Sequence, residues 1–215
     1  MKILVIISTL LIFLSCKNKE SKAIEKPDNS KEIELPISDN NTKSDSTNFK
    51  DYQNEVMLEE DILFNGKLKR YSTVGEFEKV FEKADSIKLI TEEEERCTYI
   101  FENQDGSKDI NDKYFYKNGS RFENSKDKIA VDEFKFTKSS FIIFKGIKLN
   151  SSTSIIELQK LFPNATKDIK DINIHGDGNL KVFHLREDEN NVSDGQINIF
   201  IKNGKLYLIK WWFPC

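Results

Sequence analysis

The segment DINIHG, which begins at Asp171, has spacing that could bind a metal ion. Asp171, Asn173 and Gly176 match the first, third and sixth positions of a calcium loop. Such a loop needs a bidentate glutamate at its twelfth position, where this sequence has Val182, and its fifth position holds His175 instead of an acid or amide. We therefore predict no metal site here, and Gly176 and Gly178 are predicted to lie in a loop between a helix and a strand.

No other spacing of nucleophiles, acids or histidines indicates catalysis. The sequence contains no G-x-S-x-G, P-loop or H-E-x-x-H motif. His184 lies in a predicted strand without a second histidine at ligand spacing, and the run Glu92–Glu95 is typical of a solvated loop. We predict no enzymatic activity and no cofactor. Among 36 acidic residues, an unrecognised carboxylate pair remains the alternative.

An internal repeat in the sequence predicts the helices and strands of the fold. Residues 63–84 align with residues 143–165 after a one-residue insertion. The matched pairs are Phe64 and Phe144, Gly66 and Gly146, Thr73 and Ser154, Glu76 and Glu157, Phe77 and Leu158, Val80 and Leu161, Phe81 and Phe162, and Ala84 and Ala165. Each copy has a capping box followed by apolar residues at helical spacing, which predicts a short helix with one buried face.

The repeat continues into predicted strands. Residues 114–119 align with 199–204, and both segments run into Asn-Gly, which is typical of a hairpin turn. Residues 128–136 align with 205–213. Eight extra residues, 120–127, are predicted to form a longer hairpin loop.

One further strand is predicted in each copy, near residues 97–101 and 180–185. Each copy of about 80 residues is then a short helix packed on a small antiparallel sheet. We predict an α+β fold made of two tandem repeats, 58–137 and 138–215.

Lys210 and Trp212 are the candidate interface residues. Strand alternation places Leu206, Leu208, Lys210 and Trp212 on one face, and Tyr207, Ile209, Trp211 and Phe213 on the other. The first copy has Glu133 and Lys135 at the positions of Lys210 and Trp212, which indicates a solvent-facing surface. An exposed aromatic side chain on such a face is typical of an interface. The alternative is that Trp212 packs against the neighbouring repeat.

Tandem units with a G-x-x…S/T-x-x-E-hydrophobic-Phe opening resemble two families. One is the β-lactamase inhibitor protein type, and the other is the small accessory lipoproteins of outer-membrane β-barrel assembly. The first resemblance implies binding through the face of the sheet.

Residues 1–15 have the features of a lipoprotein signal peptide. Lys2 is followed by an apolar run, Ile3–Leu14, which is shorter than the roughly 20 residues that span a bilayer as a helix. Phe13-Leu14-Ser15-Cys16 resembles the lipobox of bacterial lipoproteins, with Phe13 where that family prefers leucine. The resemblance implies lipidation of the Cys16 sulfur and cleavage before Cys16. The alternative is a short core helix that ends in a buried cysteine.

The residues after Cys16 bear on localisation. In the sorting rule of such lipoproteins, Lys17 instead of aspartate implies the outer membrane. The composition resembles that of lipoproteins from Bacteroidetes-type bacteria, whose surface-export signal is a lysine with an acidic pair. Lys17-Asn18-Lys19-Glu20 has one acid, so we expect the periplasmic face, with the cell surface as the alternative.

Residues 16–57 are predicted to be a lipid anchor and a disordered tether. Lys, Glu, Asp, Asn and Ser dominate, and the few apolar residues follow no period. Such a segment cannot bury enough surface to offset its ordering entropy. A flexible chain of about 40 residues reaches roughly 35 Å on average.

Cys97 and Cys215 are a candidate disulfide pair. An exported chain lies in an oxidising compartment, and lipidation would occupy Cys16, which leaves these two cysteines. A bridge between them would stabilise by about 4–5 kcal/mol in the chain-entropy model. The alternative is one buried thiol and one frayed terminal thiol.

The charge composition of the chain argues against nucleic acid as a binding partner. The formal net charge is −3, with charges of both signs mixed along the chain, so there is no basic footprint for nucleic acid. We predict a lipid-anchored envelope protein without enzymatic activity, whose sheet surface binds another envelope protein. A toxin-immunity or enzyme-inhibitor lipoprotein and an uncharacterised periplasmic hydrolase are the alternatives.

Overall fold

The computed structural model describes residues 53–93 and 99–214, which all lie in the unit Phe49–Cys215. In these residues the helices are α1 (Val74–Phe81) and α2 (Ile155–Leu161). The strands are β1 (Ile62–Phe64), β2 (Tyr71–Thr73), β3 (Ser86–Leu89), β4 (Lys113–Lys117), β5 (Ser120–Ser125), β6 (Lys128–Lys135), β7 (Phe141–Phe144), β8 (Ile147–Asn150), β9 (Lys170–Ile174), β10 (Gly178–Arg186), β11 (Gln196–Lys202) and β12 (Lys205–Trp212). The mixed fold with few helices and antiparallel sheets is confirmed.

The strands form a large and a small sheet. The large sheet has the order β3-β4-β5-β6-β12-β11-β10-β9, and the small sheet has the order β1-β7-β8. β6 is the central strand of the large sheet, because it pairs with β5 along one edge and with both β2 and β12 along the other. All named strand pairs are antiparallel.

The hydrophobic core lies on one face of the large sheet. Both helices and the small sheet contribute to it, through residues such as Phe77, Leu158 and Phe64. Phe64 is fully buried, and its ring centroid lies 4.9 Å from that of Phe134 and 6.0 Å from that of Trp211. We call the opposite side of the large sheet the outer face.

The two predicted capping boxes are confirmed. Thr73 Oγ1 accepts a hydrogen bond from the Glu76 N–H, and the Glu76 carboxylate accepts one from the Thr73 N–H at 2.9 Å. Ser154 and Glu157 make the same pair of bonds at the start of α2. These bonds satisfy N–H groups that the first turn of a helix leaves without partners.

Because the carboxylates of Glu76 and Glu157 stabilise the helix starts in their ionised form, we expect the protein to lose stability in acid. The bond from the Thr73 N–H is the main cause that lowers the pKa of Glu76, and the Ser154 N–H does the same for Glu157. A lowered pKa in the folded state stabilises above the unfolded value of about 4.3, and this contribution disappears as the pH falls through the folded value. We expect the urea midpoint of the wild type to fall more steeply below about pH 4.3 than that of the Glu76→Gln, Glu157→Gln double variant.

Glu78→Gln is the control, since Glu78 lies on α1 outside the capping box. Its midpoint should follow that of the wild type. Parallel curves for the wild type and the double variant would contradict the prediction.

The predicted loop at residues 120–127 is wrong, because Ser120–Ser125 forms β5. Its turn to β6 is at residues 126–127, where Lys126 has φ +55°. Phe122 of this strand faces the core, but the neighbouring Glu123 and Asn124 are polar although they are buried. Because of these polar residues, the sequence does not have the apolar pattern of a buried strand. In the described residues, β3–β6 follow α1 and β9–β12 follow α2 in the large sheet, so each helix precedes four strands of that sheet.

The further strand that was predicted in each copy is confirmed in the second copy only. β10 includes residues 180–185, but residues 99–101 form no strand, and residues 97–98 lie outside the described part of the chain. The strand after α1 is β3, which the sequence pattern missed because its side chains are mostly exposed.

The predicted tether extends too far. Of its residues, 53–57 are described and lie against the folded unit. Met57 is fully buried, and its N–H donates to the Arg186 carbonyl at 2.9 Å. The Glu55 carboxylate accepts bonds from the N–H groups of Asn164 and Ala165. The last residues of the predicted tether are therefore part of the fold, since their backbone extends along β10.

Candidate functional site

Trp212 lies on the outer face of the large sheet and is 42% exposed. The preceding residue, Trp211, points into the core and is 2% exposed. The alternative in which Trp212 packs into the neighbouring half of the fold is therefore wrong: Trp211 makes that contact, with Phe64. The predicted position of Trp212 on the solvent side agrees with the structure.

Lys210 lies at the centre of the large sheet, directly opposite Glu133 on β6. The Lys210 Nζ is 2.7 Å from Glu133 Oε1, and Arg121 Nη2 donates to the same oxygen at 2.6 Å. Arg121 Nε donates to Asp132 Oδ2 at 2.6 Å. Asp132 is almost completely buried, so the four charges form a fixed network with little freedom to rearrange.

A second exposed aromatic residue lies along β6. Tyr71 on β2 faces Ala130 and is 43% exposed. β2 and β12 both pair with the same edge of β6, so Tyr71 and Trp212 belong to the same region of the outer face. We call this region the β6 patch and define it by Tyr71, Trp212 and the network of Arg121, Asp132, Glu133 and Lys210.

A β-bulge changes which residues of β12 share the outer face. Phe200 pairs with Leu208 and Ile201 with Leu206, so Tyr207 is an extra residue between them. Leu206 therefore points into the core, and Tyr207 packs on the outer face with Leu208. The predicted alternation is wrong for Leu206 and Tyr207 and holds for Lys210 and Trp212, which lie beyond the bulge.

A small apolar cluster covers the outer face next to this bulge. Its buried members are Leu180, Val182 and Phe200, and Ile174, Tyr207 and Leu208 pack against them. The ammonium groups of Lys135 and Lys202 lie 4.8 Å and 4.9 Å from the Tyr207 ring centroid. The Tyr207 hydroxyl donates to Asp177. This half of the outer face is thus capped by charged side chains.

Both histidines lie in the β9–β10 hairpin, so the predicted loop before β10 follows a strand instead of a helix, and Asp171 and Asn173 lie in β9. His175 lies in the turn between β9 and β10, and His184 Nδ1 hydrogen-bonds with Asn198 Oδ1 at 2.7 Å. No group of three potential ligands occurs within residues 53–93 and 99–214. Of the acidic run, Glu92 accepts a bond from the Leu89 N–H and Glu93 pairs with Lys88 at 2.6 Å, whereas residues 94–95 are outside the described part.

All three cysteines fall outside the described residues. Lipidation of Cys16 and the bridge between Cys97 and Cys215 therefore stay predictions. In the described part of the chain, neither helix is long and apolar enough to cross a membrane.

Arg70 is a buried charge that the sequence pattern missed. It is 4% exposed, and its guanidinium lies 4.6 Å from the Trp211 ring centroid and 5.0 Å from that of Tyr71. Burial lowers the pKa of Arg70, while the charges of nearby groups such as Glu187 and Glu59 oppose this effect. In the sequence, Lys67-Leu68-Lys69-Arg70 has the pattern of an exposed basic run, so no local signal identifies Arg70 as buried.

Comparison of the chain with protein-family models, with curated proteins and with solved structures finds no match. The geometry alone therefore carries the argument about function. In the described residues, it offers a sheet surface with exposed aromatic rings and fixed charges.

Proposed function

We propose that the protein is a lipid-anchored envelope protein that binds another envelope protein through the β6 patch. The observation that carries this proposal is the 42% exposure of Trp212 beside a fixed charge network. Tryptophan, tyrosine and arginine dominate the binding energy of protein interfaces. A surface that already holds its charged side chains in place loses little conformational entropy when it binds.

The chemistry of the patch indicates what the partner must supply. Trp212 and Tyr71 offer apolar rings with a polar edge, which suit a partner with an apolar surface rimmed by hydrogen-bonding groups. The acids and bases of the network neutralise one another, so the centre of the patch carries little net charge. The partner therefore needs shape and apolar complementarity more than charge of one sign.

The anchor forms part of the same proposal. The lipobox resemblance at Cys16 supports lipid attachment, and Lys17 supports the outer membrane, with the periplasmic face preferred. The charged segment between Cys16 and the described residues supports a tether that holds the binding unit away from the membrane. Cys97 and Cys215 form the proposed disulfide in this compartment.

We also propose that residues 58–137 and 138–215 are two copies of one unit. Residues matched in the sequence face each other where the halves pair: Leu63 faces Ile143 between β1 and β7, and Glu133 faces Lys210 between β6 and β12. Equivalent residues meet in this way around a local two-fold axis. Each unit then has one helix followed by four strands of the large sheet, and β5–β6 is the counterpart of β11–β12. In this arrangement residues 114–117, which the sequence pattern aligned with β11, lie instead in β4, the counterpart of β10.

Binding is tested with Trp212→Ala in the full-length protein. A partner captured by cross-linking in envelope extracts with the wild type is purified, and its dissociation constant is measured with both forms. We expect about thirtyfold weaker binding for Trp212→Ala, because truncating an interface hot spot costs at least about 2 kcal/mol.

Ile156→Ala is the matched control. Ile156 is a large apolar side chain on α2, on the other side of the molecule, and is 61% exposed. Its partner affinity should equal that of the wild type. An unchanged affinity of Trp212→Ala for every captured partner would exclude the β6 patch as the binding surface.

A further inference from the structure

Two clefts occupy corresponding positions beside the two helices. The first, of about 280 Å³, lies between residues 67–72 and α1, and the second, of about 340 Å³, lies between β8 and α2. Leu68 and Val80 line the first cleft, and Leu149 and Leu161 line the second. Each cleft therefore has apolar walls that come from both the extended segment and the helix.

Lysines surround both clefts. Lys67, Lys69 and Lys79 line the first, and Lys148 and Lys160 line the second. Within the described residues, none of the five forms an ion pair with a carboxylate. The ammonium group of Lys148 instead lies 4.0 Å from the Phe141 ring centroid.

The acids at the clefts are already engaged. Glu76 and Glu157 each accept hydrogen bonds from their N-cap residue, through both its N–H and its hydroxyl group. The lysines therefore outnumber the acids at each cleft, and each cleft combines apolar walls with excess positive charge. A ligand that matches both features has an apolar body and an anionic end.

We propose that each cleft binds a single-chain alkyl carboxylate, with its chain against the apolar walls and its carboxylate beside the lysines. The volumes of about 280 and 340 Å³ lie just below and just above the lower limit of small-ligand pockets, so neither cleft has room for more than one chain. This site goes beyond the proposed function. The first cleft shares Tyr71 with the β6 patch, but Trp212 and the charge network line neither cleft.

Laurate, titrated calorimetrically below its critical micelle concentration, is the probe. The protein is the proposed mature chain, residues 16–215, with Cys16→Ser, which lacks both the signal peptide and the proposed lipid. We expect two laurate molecules per chain. Lys79→Glu and Lys160→Glu should each weaken one of the two sites about tenfold or more, because reversing the charge replaces attraction with repulsion. The double variant should lose both sites.

Three controls give this test a clear outcome. Lys83→Glu reverses the charge of an exposed lysine just beyond α1 that lines neither cleft, and it should bind like the wild type. Dodecanol, which lacks the charge, should bind about tenfold more weakly than laurate. Lys79→Gln with Lys160→Gln should show an intermediate loss, and urea midpoints establish that each variant is folded.

Absence of laurate binding would overturn the proposal, as would equal binding of dodecanol or full binding by the folded double charge-reversal variant. Trp212→Ala should bind laurate normally. A failure at the clefts is therefore distinguishable from a failure of the β6 patch.

Discussion

Replacement of Cys16 by alanine is expected to abolish palmitate labelling and to release the protein from the membrane fraction. The Cys16 sulfur is the proposed attachment point, so its removal leaves no atom to carry the lipid. Acyl chains contribute about 0.8 kcal/mol per buried CH₂, and stable anchoring takes more than one such signal. Metabolic labelling and fractionation of cells that express each form measure both effects.

Cys97→Ala and Cys215→Ala are the matched controls, because they remove the other two thiols of the chain. Both variants should keep the label and remain in the membrane fraction. Continued labelling of Cys16→Ala would contradict lipid attachment at this residue and, with it, the proposed location of the binding unit.

Arg70→Ala is expected to destabilise the fold by about 2–5 kcal/mol, which is the range for truncation of a long buried side chain to alanine. The side chain packs between the Trp211 and Tyr71 rings, so truncation removes two cation–π contacts and leaves a cavity. Its Nη1 also lies 3.7 Å from Glu59. Glu187 Oε2, which is buried without a hydrogen-bond partner in the described residues, would lose a nearby positive charge.

Arg70→Met separates packing from charge. Methionine keeps an apolar stem of similar length beside Trp211, so this variant should lose clearly less stability than Arg70→Ala. Urea unfolding followed by tryptophan fluorescence gives the midpoints and slopes. An Arg70→Ala variant within about 1 kcal/mol of the wild type would show that the buried guanidinium contributes little.

Features that depend on local sequence were predictable. The capping boxes at Thr73 and Ser154 depend on residues three positions apart, and both formed as expected. The turn at Asn118-Gly119 also follows from local preferences, with positive φ at both residues. Strand alternation and the charged counterpart in the first half indicated a solvent-facing Trp212 but left open its packing against the neighbouring repeat, and the structure shows it 42% exposed.

Features that depend on tertiary contacts were not predictable. β5 buries Glu123 and Asn124, and the Phe101 N–H binds the Glu123 carboxylate from 22 positions away. The bulge at Tyr207 depends on the register with β11, which no single strand specifies. Arg70 is buried because Trp211, far along the chain, packs against it. Each of these contacts joins segments that sequence patterns treat separately.

The pairing of Glu133 with Lys210 has a consequence for association between molecules. Were β6 to pair with β6 of a second molecule around this position, Glu133 would meet another glutamate, and β12 with β12 would bring two lysines together. Like charges directly opposite each other in a sheet are destabilising. The opposite charges at this position therefore favour the pairing of β6 with β12 and disfavour sheets in which β6 pairs with β6, or β12 with β12, of a second molecule.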